Sequence, residues 1–316
     1  RAGAMRVLVT GLGGFVGRWL LPALAARGHV VTGTRLPGEP DPRLPGVADW
    51  RTLELGDAST VREVLEVCPD AVIHLAAVAS GAEARQDPQR AFEVNGAGTG
   101  RLADALGAHR AGGTGDPLLL LVSTAEVYGV GEVPGLRRET DPPQPGSPYA
   151  ASKLAGEVAA LEAARRTGLR VIIARPFPHT GPGQTDRYVI PAFAHRLREA
   201  RRTGATRVTT GNLEPVRDYL DVRDVVAAYV GLLDQGRPGE IYNVASGVGW
   251  SLRDIFQRLA RLIGVSADPV ADPALVRSGD VMHLVGDATR LQARTGWAPR
   301  VPFDQTLQDV VNAQTD

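Results

Sequence analysis

The chain has 316 residues, 43% of them apolar and 22% charged, and its 35 basic and 35 acidic side chains give a formal net charge of zero. This composition is typical of a soluble globular protein, large enough for one α/β unit or a core domain with a smaller lobe. The sequence has no basic block, no apolar run of transmembrane length and no signal-peptide pattern, so we expect no nucleic-acid partner, no membrane association and a cytoplasmic location. One cysteine and six histidines without ligand spacing exclude a disulfide framework and predict no metal site.

The first predicted elements are a strand over residues 5–10, a glycine-rich turn and a helix to about residue 27. Glycine permits a tight turn from strand to helix and lets the backbone approach a pyrophosphate at the helix N-terminus. A glycine turn can also be purely structural, but its place directly after a strand favours a dinucleotide site. The turn residues expected to contact the cofactor are Gly11, Gly14, Phe15, Val16 and Gly17.

Two residues near the next strand ends bear on which cofactor binds. The second strand, over 29–34, lacks the terminal carboxylate that would bind the ribose hydroxyls of NAD, and Arg35 follows it. An arginine at this point favours a 2′-phosphate, so NADP(H) is predicted in preference to NAD(H), although Arg35 could equally be a solvated loop residue. Asp57, after a third strand over 50–55, has two open interpretations: a contact with the adenine, or the N-cap of a helix over 59–67.

Three further strands are predicted at 71–77, 117–123 and 169–175, with long helices from about 87 to 110 and from 148 onward between them. Repeated β–α units of this kind indicate an α/β fold with a doubly wound parallel sheet, that is, a Rossmann fold. Ligands of such sheets bind at the carboxyl ends of the strands. The strand-end residues assigned to the cofactor are Leu75, Ala76, Ala77, Ser123 and Pro176.

A helix start at Ser147 and Pro148 places Tyr149 and Lys153 on one helix face, four residues apart. Lys153 is the only lysine of the chain, which otherwise uses arginine throughout. Lysine offers a compact ammonium that reaches hydroxyls, which a planar guanidinium does not. The pair predicts a tyrosine that donates a proton, and the positive charges of Lys153 and of an oxidised nicotinamide would lower the tyrosine pKa toward neutrality.

After residue 175 the sequence becomes irregular and rich in proline and glycine. The apolar run 241–245 is expected to rejoin the main sheet, and the remaining pieces to form a smaller C-terminal substrate-binding lobe. Ligand is expected between the two parts. The predicted division is a Rossmann domain over 5–175 with returns at about 216–246, and a lobe over 176–215 and 247–316.

The glycine turn, the strand end Ser123-Thr124 and the pair of Tyr149 and Lys153 together resemble the extended short-chain dehydrogenase/reductases that act on nucleotide sugars. The stretches 175–184 and 216–226 are most similar to the reductases and dehydratases of GDP-mannose-derived sugars in that family. The resemblance covers nearly the whole chain and implies a nucleotide-sugar substrate. The roles it implies are proton donor for Tyr149, nicotinamide ribose contact for Lys153, hydrogen bond to the reacting oxygen for Thr124, and substrate contacts for Glu126, His179, Arg217 and Arg277.

Within this resemblance, residue 125 bears on the reaction type. Dehydratases of the family place a glutamate at the position of Glu126 and commonly pair it with an acidic or hydroxyl neighbour, whereas this chain has Ala125. Reduction of the C4 ketone of a nucleotide-linked 4-keto-6-deoxy sugar is therefore predicted, with a 4,6-dehydratase or a 4-epimerase as alternatives. An alternative of another class is a non-catalytic NADP-sensing regulator, against which the intact Thr124, Tyr149 and Lys153 argue.

The resemblance also bears on substrate contacts and on assembly. Pro178 stands where the family usually has asparagine, so either the substrate contact passes to His179 or to the loop backbone, or the sugar nucleotide differs from the usual one of the family. The helices that begin near Pro88 and Pro148 have alanine-rich outer faces. Close packing of these faces in a homodimer, common in the family, is expected.

Overall fold

Short apolar runs alternate with helices over the first 176 residues, and each run forms a strand. The computed structural model describes residues 3–129, 135–275 and 281–313. A parallel sheet covered on both faces needs strands that are apolar almost throughout, and β5, with the sequence LLLLV, is buried at four of its five positions. The strands are β1 Arg6–Thr10, β2 Val30–Arg35, β3 Val47–Thr52, β4 Ala71–His74, β5 Leu118–Val122, β6 Arg170–Pro176, β7 His179–Thr180, β8 Arg207–Thr210, β9 Val216–Asp218, β10 Leu220–Asp221, β11 Ile241–Val244, β12 Gly249–Ser251, β13 Asp268–Ala271 and β14 His283–Leu284.

Most of the longer helices begin at a polar cap or end at a glycine. In α6 the Ser147 hydroxyl accepts a hydrogen bond from the backbone N–H of Ala150 (3.1 Å), and Gly168 ends the helix in the left-handed conformation. Among the described residues, no helix has both the length and the apolar character needed to cross a membrane. The α-helices are α1 Phe15–Ala25, α2 Ala58–Glu63, α3 Gly81–Gln86, α4 Pro88–Ala91, α5 Thr99–Ala111, α6 Pro148–Thr167, α7 Val189–Thr203, α8 Val222–Gln235, α9 Leu252–Ile263, α10 Thr289–Thr295 and α11 Phe303–Ala313.

Seven of the strands form one parallel sheet in the order β11-β6-β5-β4-β1-β2-β3. The order reverses between β1 and β4, and this switch point is where open α/β sheets bind ligands. The apolar run 241–245 rejoins the main sheet as expected, since β11 pairs with β6 at the edge. The predicted doubly wound sheet is confirmed.

Alternating side chains of the strands supply two separate cores, one on each face of the sheet. In β1, Val7 and Val9 pack with α1 and α8 in one cluster, while Leu8 packs with α5 and α6 in the other. All three residues are at most 1% exposed. The sheet is therefore buried on both faces, and only its carboxyl edge is left for a ligand.

A third core lies in the smaller C-terminal lobe, where α7, α9 and α11 pack together. Phe193 and Phe256 meet edge to face at its centre, with ring centroids 5.5 Å apart. The remaining strands form three small sheets apart from the main sheet: β7 with β10, β8 with β13, and β9 between β12 and β14.

Several elements differ from the sequence-based expectations. Strand β3 begins at Val47, three residues earlier than expected, because tertiary pairing with β2 prevails over local propensity. Strand β4 ends at His74, three residues before its expected end at residue 77. The expected helix over 87–110 is divided into α4, a wider π-helical segment over Phe92–Gly98, and α5. The short helix α3, capped by Ser80, was not predicted.

Candidate active site

A cleft of about 1120 Å³ opens at the carboxyl edge of the sheet, between the glycine turn and the loop after β4. Six residues assigned to the cofactor from sequence line it: Gly11, Gly14, Arg35, Leu75, Ala76 and Ala77. Its outer wall comes from β2, the segment before α2, and α3. This position, at the switch point of the sheet, fits an elongated dinucleotide.

The glycine turn has backbone positions that larger residues would block. Gly11 has a φ of 70°, and a Cβ on it would lie 2.9 Å from the backbone nitrogen of Ala76. A Cβ on Gly17 would overlap the carbonyl oxygen of Leu12. Gly14 caps α1, so the first N–H groups of the helix point toward the cleft. Phe15 and Val16 begin α1, and both are half-buried.

Arg35 ends β2 at the lip of the cleft, opposite Glu39. One guanidinium nitrogen of Arg35 donates to the Glu39 carbonyl oxygen, and its Nε is buried with no hydrogen-bond partner among the described residues. A buried donor without a partner costs free energy unless a ligand satisfies it. The guanidinium and the open cleft beside it therefore fit a phosphate-bearing cofactor.

Asp57 is the N-cap of a helix, which is one of the two interpretations of its sequence position. Its carboxylate accepts hydrogen bonds from the backbone N–H (2.8 Å) and the hydroxyl (2.7 Å) of Ser59, and so caps α2. The Ser59 hydrogen bonds hold the pKa of Asp57 below its usual value. The neighbouring residues Glu54 and Leu55 line the cleft, whereas Asp57 lies at the head of α2, so its adenine contact stays a prediction.

Tyr149 stands beside the cleft at the start of α6. Its ring packs against the small cluster of Val78, Ala84 and Ala91, of which Val78 lines the cleft. The Thr124 hydroxyl lies near enough to the Tyr149 hydroxyl to favour its ionised form. Thr124 is itself held in place because its oxygen accepts the backbone N–H of Glu126 (3.2 Å). The two hydroxyls are therefore neighbours beside the cleft.

The expected lowering of the Tyr149 pKa is wrong for the protein alone. Burial raises this pKa above its ordinary value, and the negative charge of Glu126 raises it further, while the Thr124 hydroxyl acts in the opposite direction. Tyr149 is consequently a protonated phenol at neutral pH. Such a group serves a reduction, in which the carbonyl oxygen must gain a proton.

Lys153 lies one turn further along α6 and is 7% exposed. Its ammonium donates to the carbonyl oxygen of Val122 at 2.6 Å, which ties the helix to the end of β5. Burial lowers the pKa of Lys153 to about 8, and the carboxylate of Glu157 opposes that effect. The lysine is therefore mostly protonated at neutral pH.

Sequence reasoning missed a buried ion pair directly beneath these residues. Glu157 and Arg175, 2% and 3% exposed, form two hydrogen bonds of 3.0 and 2.6 Å. The Ser123 hydroxyl donates to the same carboxylate at 2.5 Å, so this side chain points below the cleft and its assigned cofactor contact stays a prediction. Glu157 follows Lys153 by four residues, which places both on the same helix face, and this spacing could have indicated that Glu157 is buried beside the lysine.

A second missed group is Asn95 in the π-helical segment. Its side chain bonds both the N–H (2.8 Å) and the C=O (3.0 Å) of Val78 and donates to the Ser152 hydroxyl (2.9 Å). Because Val78 lines the cleft and Ser152 precedes Lys153, Asn95 joins the cleft wall to α6. Gly96 makes this close approach possible, since a Cβ on it would lie 3.2 Å from that of Ala155.

The residues assigned to substrate come from the loops above the cleft. His179 begins β7, its Nδ1 is hydrogen-bonded to the Phe177 carbonyl oxygen (3.0 Å), and burial lowers its pKa, so it is neutral. Pro176 ends β6 beside β11 and is buried. Arg217 lies in β9 and donates to the carbonyl oxygen of Val216 (2.9 Å). Arg277 lies outside the described residues.

Asp218, next to Arg217, holds the loops around it. Its buried carboxylate accepts from the N–H and hydroxyl of Ser246 (3.0 and 2.5 Å) and from the N–H groups of Gly247 (2.9 Å) and Gly286 (3.2 Å). Burial raises the pKa of Asp218, against these hydrogen bonds. The end of β11 and the end of β14 are thereby fixed to β9, and the position of Arg217 follows.

Comparison with known proteins agrees with this arrangement. The profile of the NAD dependent epimerase/dehydratase family matches residues 7–245. A GDP-6-deoxy-D-mannose reductase of Pseudomonas aeruginosa is 37% identical over 309 residues, which are 97% of this chain and 96% of that protein. A UDP-glucose 4-epimerase of Mycolicibacterium smegmatis is 31% identical over 97% of both chains. The solved structure of RMD from Pseudomonas aeruginosa complexed with NADPH covers 98% of both chains, with 35% identity and a TM-score of 0.82. The chain therefore belongs to the NAD-dependent epimerase/dehydratase family.

Proposed function

We propose that the protein is an NADPH-dependent reductase of the C4 ketone of a nucleotide-linked 4-keto-6-deoxy sugar, of the GDP-4-keto-6-deoxy-mannose type. The observation that carries this proposal is the position of Tyr149 beside the dinucleotide cleft, with the Thr124 hydroxyl next to it and Lys153 one helical turn away. The 37% identity to a GDP-6-deoxy-D-mannose reductase along nearly the whole chain supports it. A cytoplasmic location is part of the proposal, because a chain with one cysteine forms no internal disulfide.

In the proposed reduction, Tyr149, Thr124 and Lys153 have separate roles. Bound NADPH supplies the hydride to the ketone carbon. The Tyr149 hydroxyl donates its proton to the ketone oxygen, which becomes the C4 hydroxyl, and its raised pKa keeps that proton available at neutral pH. The Thr124 hydroxyl donates a hydrogen bond to the same oxygen and orients it. The Lys153 ammonium provides positive charge that stabilises the phenolate left on Tyr149.

The surroundings of Glu126 favour reduction over dehydration. Dehydration needs a base beside the ketone and a second group to protonate the leaving hydroxyl. Ala125, the neighbour of Glu126, is fully buried in the apolar cluster under the sheet and offers neither a proton nor a charge. Glu126 itself is exposed and acts on Tyr149 through its charge, so we assign it a substrate contact near the sugar.

The function is tested by following the loss of NADPH absorbance with a panel of 4-keto-6-deoxy sugar nucleotides that carry guanosine, thymidine or uridine diphosphate. We expect turnover with the GDP-linked ketone to exceed turnover with the other two. NADPH binding without oxidation in any arm would contradict the reductase and favour a regulator. Water loss from GDP-mannose would instead favour the dehydratase, and C4 inversion of a nucleotide hexose the epimerase.

The preference for NADPH is assigned to Arg35, whose buried Nε and position at the lip of the cleft suit a ribose 2′-phosphate. Arg35→Ala is expected to raise the KM for NADPH about tenfold or more, because it removes a charge-assisted contact worth about 1.5–3 kcal/mol. The KM for NADH is expected to stay unchanged, since that cofactor lacks the phosphate. Arg51→Ala, which removes an exposed arginine paired with Asp49 on β3, is the control. Equal effects on both cofactors would count against the assignment.

We assign the nucleotide sugar to the space between the Rossmann domain, residues 5–175 with returns at 216–246, and a lobe of residues 176–215 and 247–316. His179 belongs to that lobe and Arg217 to the return of the Rossmann domain at 216–246, so the proposed site takes a polar group from each part. An arginine fork suits a diphosphate, so Arg217 and Arg277 are assigned to the two phosphates.

A homodimer completes the proposal. A groove of about 590 Å³ runs along the outer faces of α5 and α6, between small residues and Val158, whose side chain is 61% exposed. Asp104 and Glu162 lie at the edge of the groove, where both carboxylates pair with Arg166 of the same chain. This exposed apolar face is the surface that we assign to a second copy of the chain.

Val158→Asp is expected to convert the dimer to a monomer, because the interface would bury an unpaired carboxylate. Sedimentation of both proteins at the same concentration measures the change. Leu262→Asp on α9, which alters a residue 38% exposed on another face, should leave the mass unchanged. A Val158→Asp protein of unaltered mass would refute this interface.

A further inference from the structure

The end of β5 and the helix α6 are joined by two hydrogen bonds from neighbouring strand-end residues. The Lys153 ammonium donates to the carbonyl oxygen of Val122 (2.6 Å), and the Ser123 hydroxyl donates to the Glu157 carboxylate (2.5 Å). Lys153 and Glu157 lie four residues apart on one face of α6. Because Ser123 precedes Thr124 in the chain, the Glu157 bond lies next to the proposed reaction site.

Glu157 forms an ion pair at a depth where a lone carboxylate would be costly. Its side chain is 2% exposed, and Arg175 from β6 binds both of its oxygens. Arg175 in turn lies over the ring of Tyr128, with its guanidinium carbon 4.9 Å from the ring centroid. A buried carboxylate stays charged when a fork of donors holds it, and removal of one partner of such a pair is strongly destabilising.

Burial of the ammonium lowers the pKa of Lys153, whereas the charge of Glu157 raises it. From β4, His74 faces it, and burial together with the lysine charge lowers the pKa of His74 to about 3, so the imidazole is neutral. From β6, Arg175 brings a positive charge, and Tyr149 on the same helix is a neutral phenol. Among these groups Glu157 supplies the negative charge that favours a protonated lysine.

We propose that Glu157 is a positioning residue for the reaction: it keeps Lys153 protonated and holds the strand end that carries Thr124 against the catalytic helix. Its effect on turnover rests on the proposed reductase function, whereas its effect on Lys153 requires no substrate. Glu157 influences the reacting atoms indirectly. Its charge acts on Lys153, and its hydrogen bond holds Ser123, the neighbour of Thr124. Its ion pair with Arg175 is what permits a carboxylate at this depth.

Because Lys153 is the only lysine of the chain, its protonation can be followed directly. In protein labelled with ¹³C at the lysine ε-carbon, a single signal reports on Lys153, and its chemical shift against pH gives the titration midpoint. The wild-type midpoint is expected at about pH 8, the pKa that burial imposes. Glu157→Gln should move it to lower pH, because the carboxylate charge that favours the protonated lysine is lost.

The lower pKa of Lys153 in Glu157→Gln also determines how the pH dependence of kcat should change. Activity requires a protonated Lys153 and declines as pH rises through its pKa, so a lower pKa moves the alkaline limb of the kcat profile to lower pH by the same amount. Glu157→Asp keeps the charge but shortens the reach to Ser123. It should leave the lysine midpoint close to wild type while kcat falls, and Ser123→Ala should do the same.

Glu199→Gln, which alters an exposed glutamate paired with Arg202 on α7, is the control and should change neither the midpoint nor kcat. An unchanged lysine midpoint in Glu157→Gln would overturn the charge role. Unchanged kcat in both Glu157→Asp and Ser123→Ala would overturn the positional role, and these two variants decide it even if Glu157→Gln does not fold. If no sugar nucleotide is turned over by the wild type, the proposed function fails, but the lysine titration still tests Glu157.

Discussion

Tyr149→Phe is expected to lower kcat by about 10²–10⁴-fold, the range that a positioned general acid contributes. The phenylalanine keeps the ring that packs against Val78, so the cleft wall is preserved. It removes only the hydroxyl that lies next to Thr124 and supplies the proton. The dissociation constant for NADPH, measured by fluorescence titration, should therefore remain close to the wild-type value while turnover collapses.

Tyr242→Phe is the control for this prediction. The Tyr242 hydroxyl donates to Glu240 at 3.0 Å and accepts the backbone N–H of Arg237, away from the cleft at the edge of the sheet. We expect this variant to turn over near the wild-type rate. A Tyr149→Phe protein with full activity would show that the proton comes from elsewhere, and Glu126 would then be the next candidate.

The second large effect is expected from Gly17→Ala in the glycine turn. A Cβ on Gly17 would overlap the carbonyl oxygen of Leu12, which is fully buried, so the turn and the start of α1 must move apart. Overpacking of this kind costs about 3 kcal/mol in the free energy of unfolding. The same displacement moves the helix N-terminus away from the pyrophosphate site, so NADPH affinity should fall as well.

Denaturant unfolding without cofactor and calorimetric titration with NADPH measure these two consequences separately. Gly56→Ala is the matched control, because a Cβ there meets only a Glu54 carboxylate oxygen at 3.7 Å, an ordinary contact. It should change the free energy of unfolding by less than about 0.5 kcal/mol. If Gly17→Ala kept the wild-type free energy of unfolding and the wild-type NADPH affinity, the turn would accommodate the extra methyl group. The prediction that close packing at Gly17 is required would then be wrong.

The sequence was sufficient for the features that depend on local chemistry or on short spacing. Apolar runs between helical segments predicted the parallel sheet, and the glycine repeat predicted the turn at Gly11. The cap at Ser147 predicted the start of α6, and with it the common face of Tyr149 and Lys153. These succeed because a strand, a turn or a helix cap is specified mainly by residues within a few positions of it.

Pairing between distant segments limited the prediction of boundaries. Strand β3 lies three residues before its expected place because its register is set by β2, on the other side of a loop. The register of β3 depends on backbone hydrogen bonds to a distant strand, which carry no signature in its own sequence. Asp57 is a different case: the hydrogen bonds from Ser59 confirm the local helix cap, while its adenine contact stays a prediction.

The composition and motifs by themselves determined that this chain is an α/β protein with a dinucleotide turn and a tyrosine–lysine pair. Only the tertiary structure decided the state of that pair, because pKa values depend on burial and on charges brought from other strands. Burial keeps Tyr149 protonated and lowers the pKa of Lys153 to about 8. Arg175, far along the chain, allows Glu157 to remain charged beneath them, a juxtaposition that exists only once β6 and α6 are packed together.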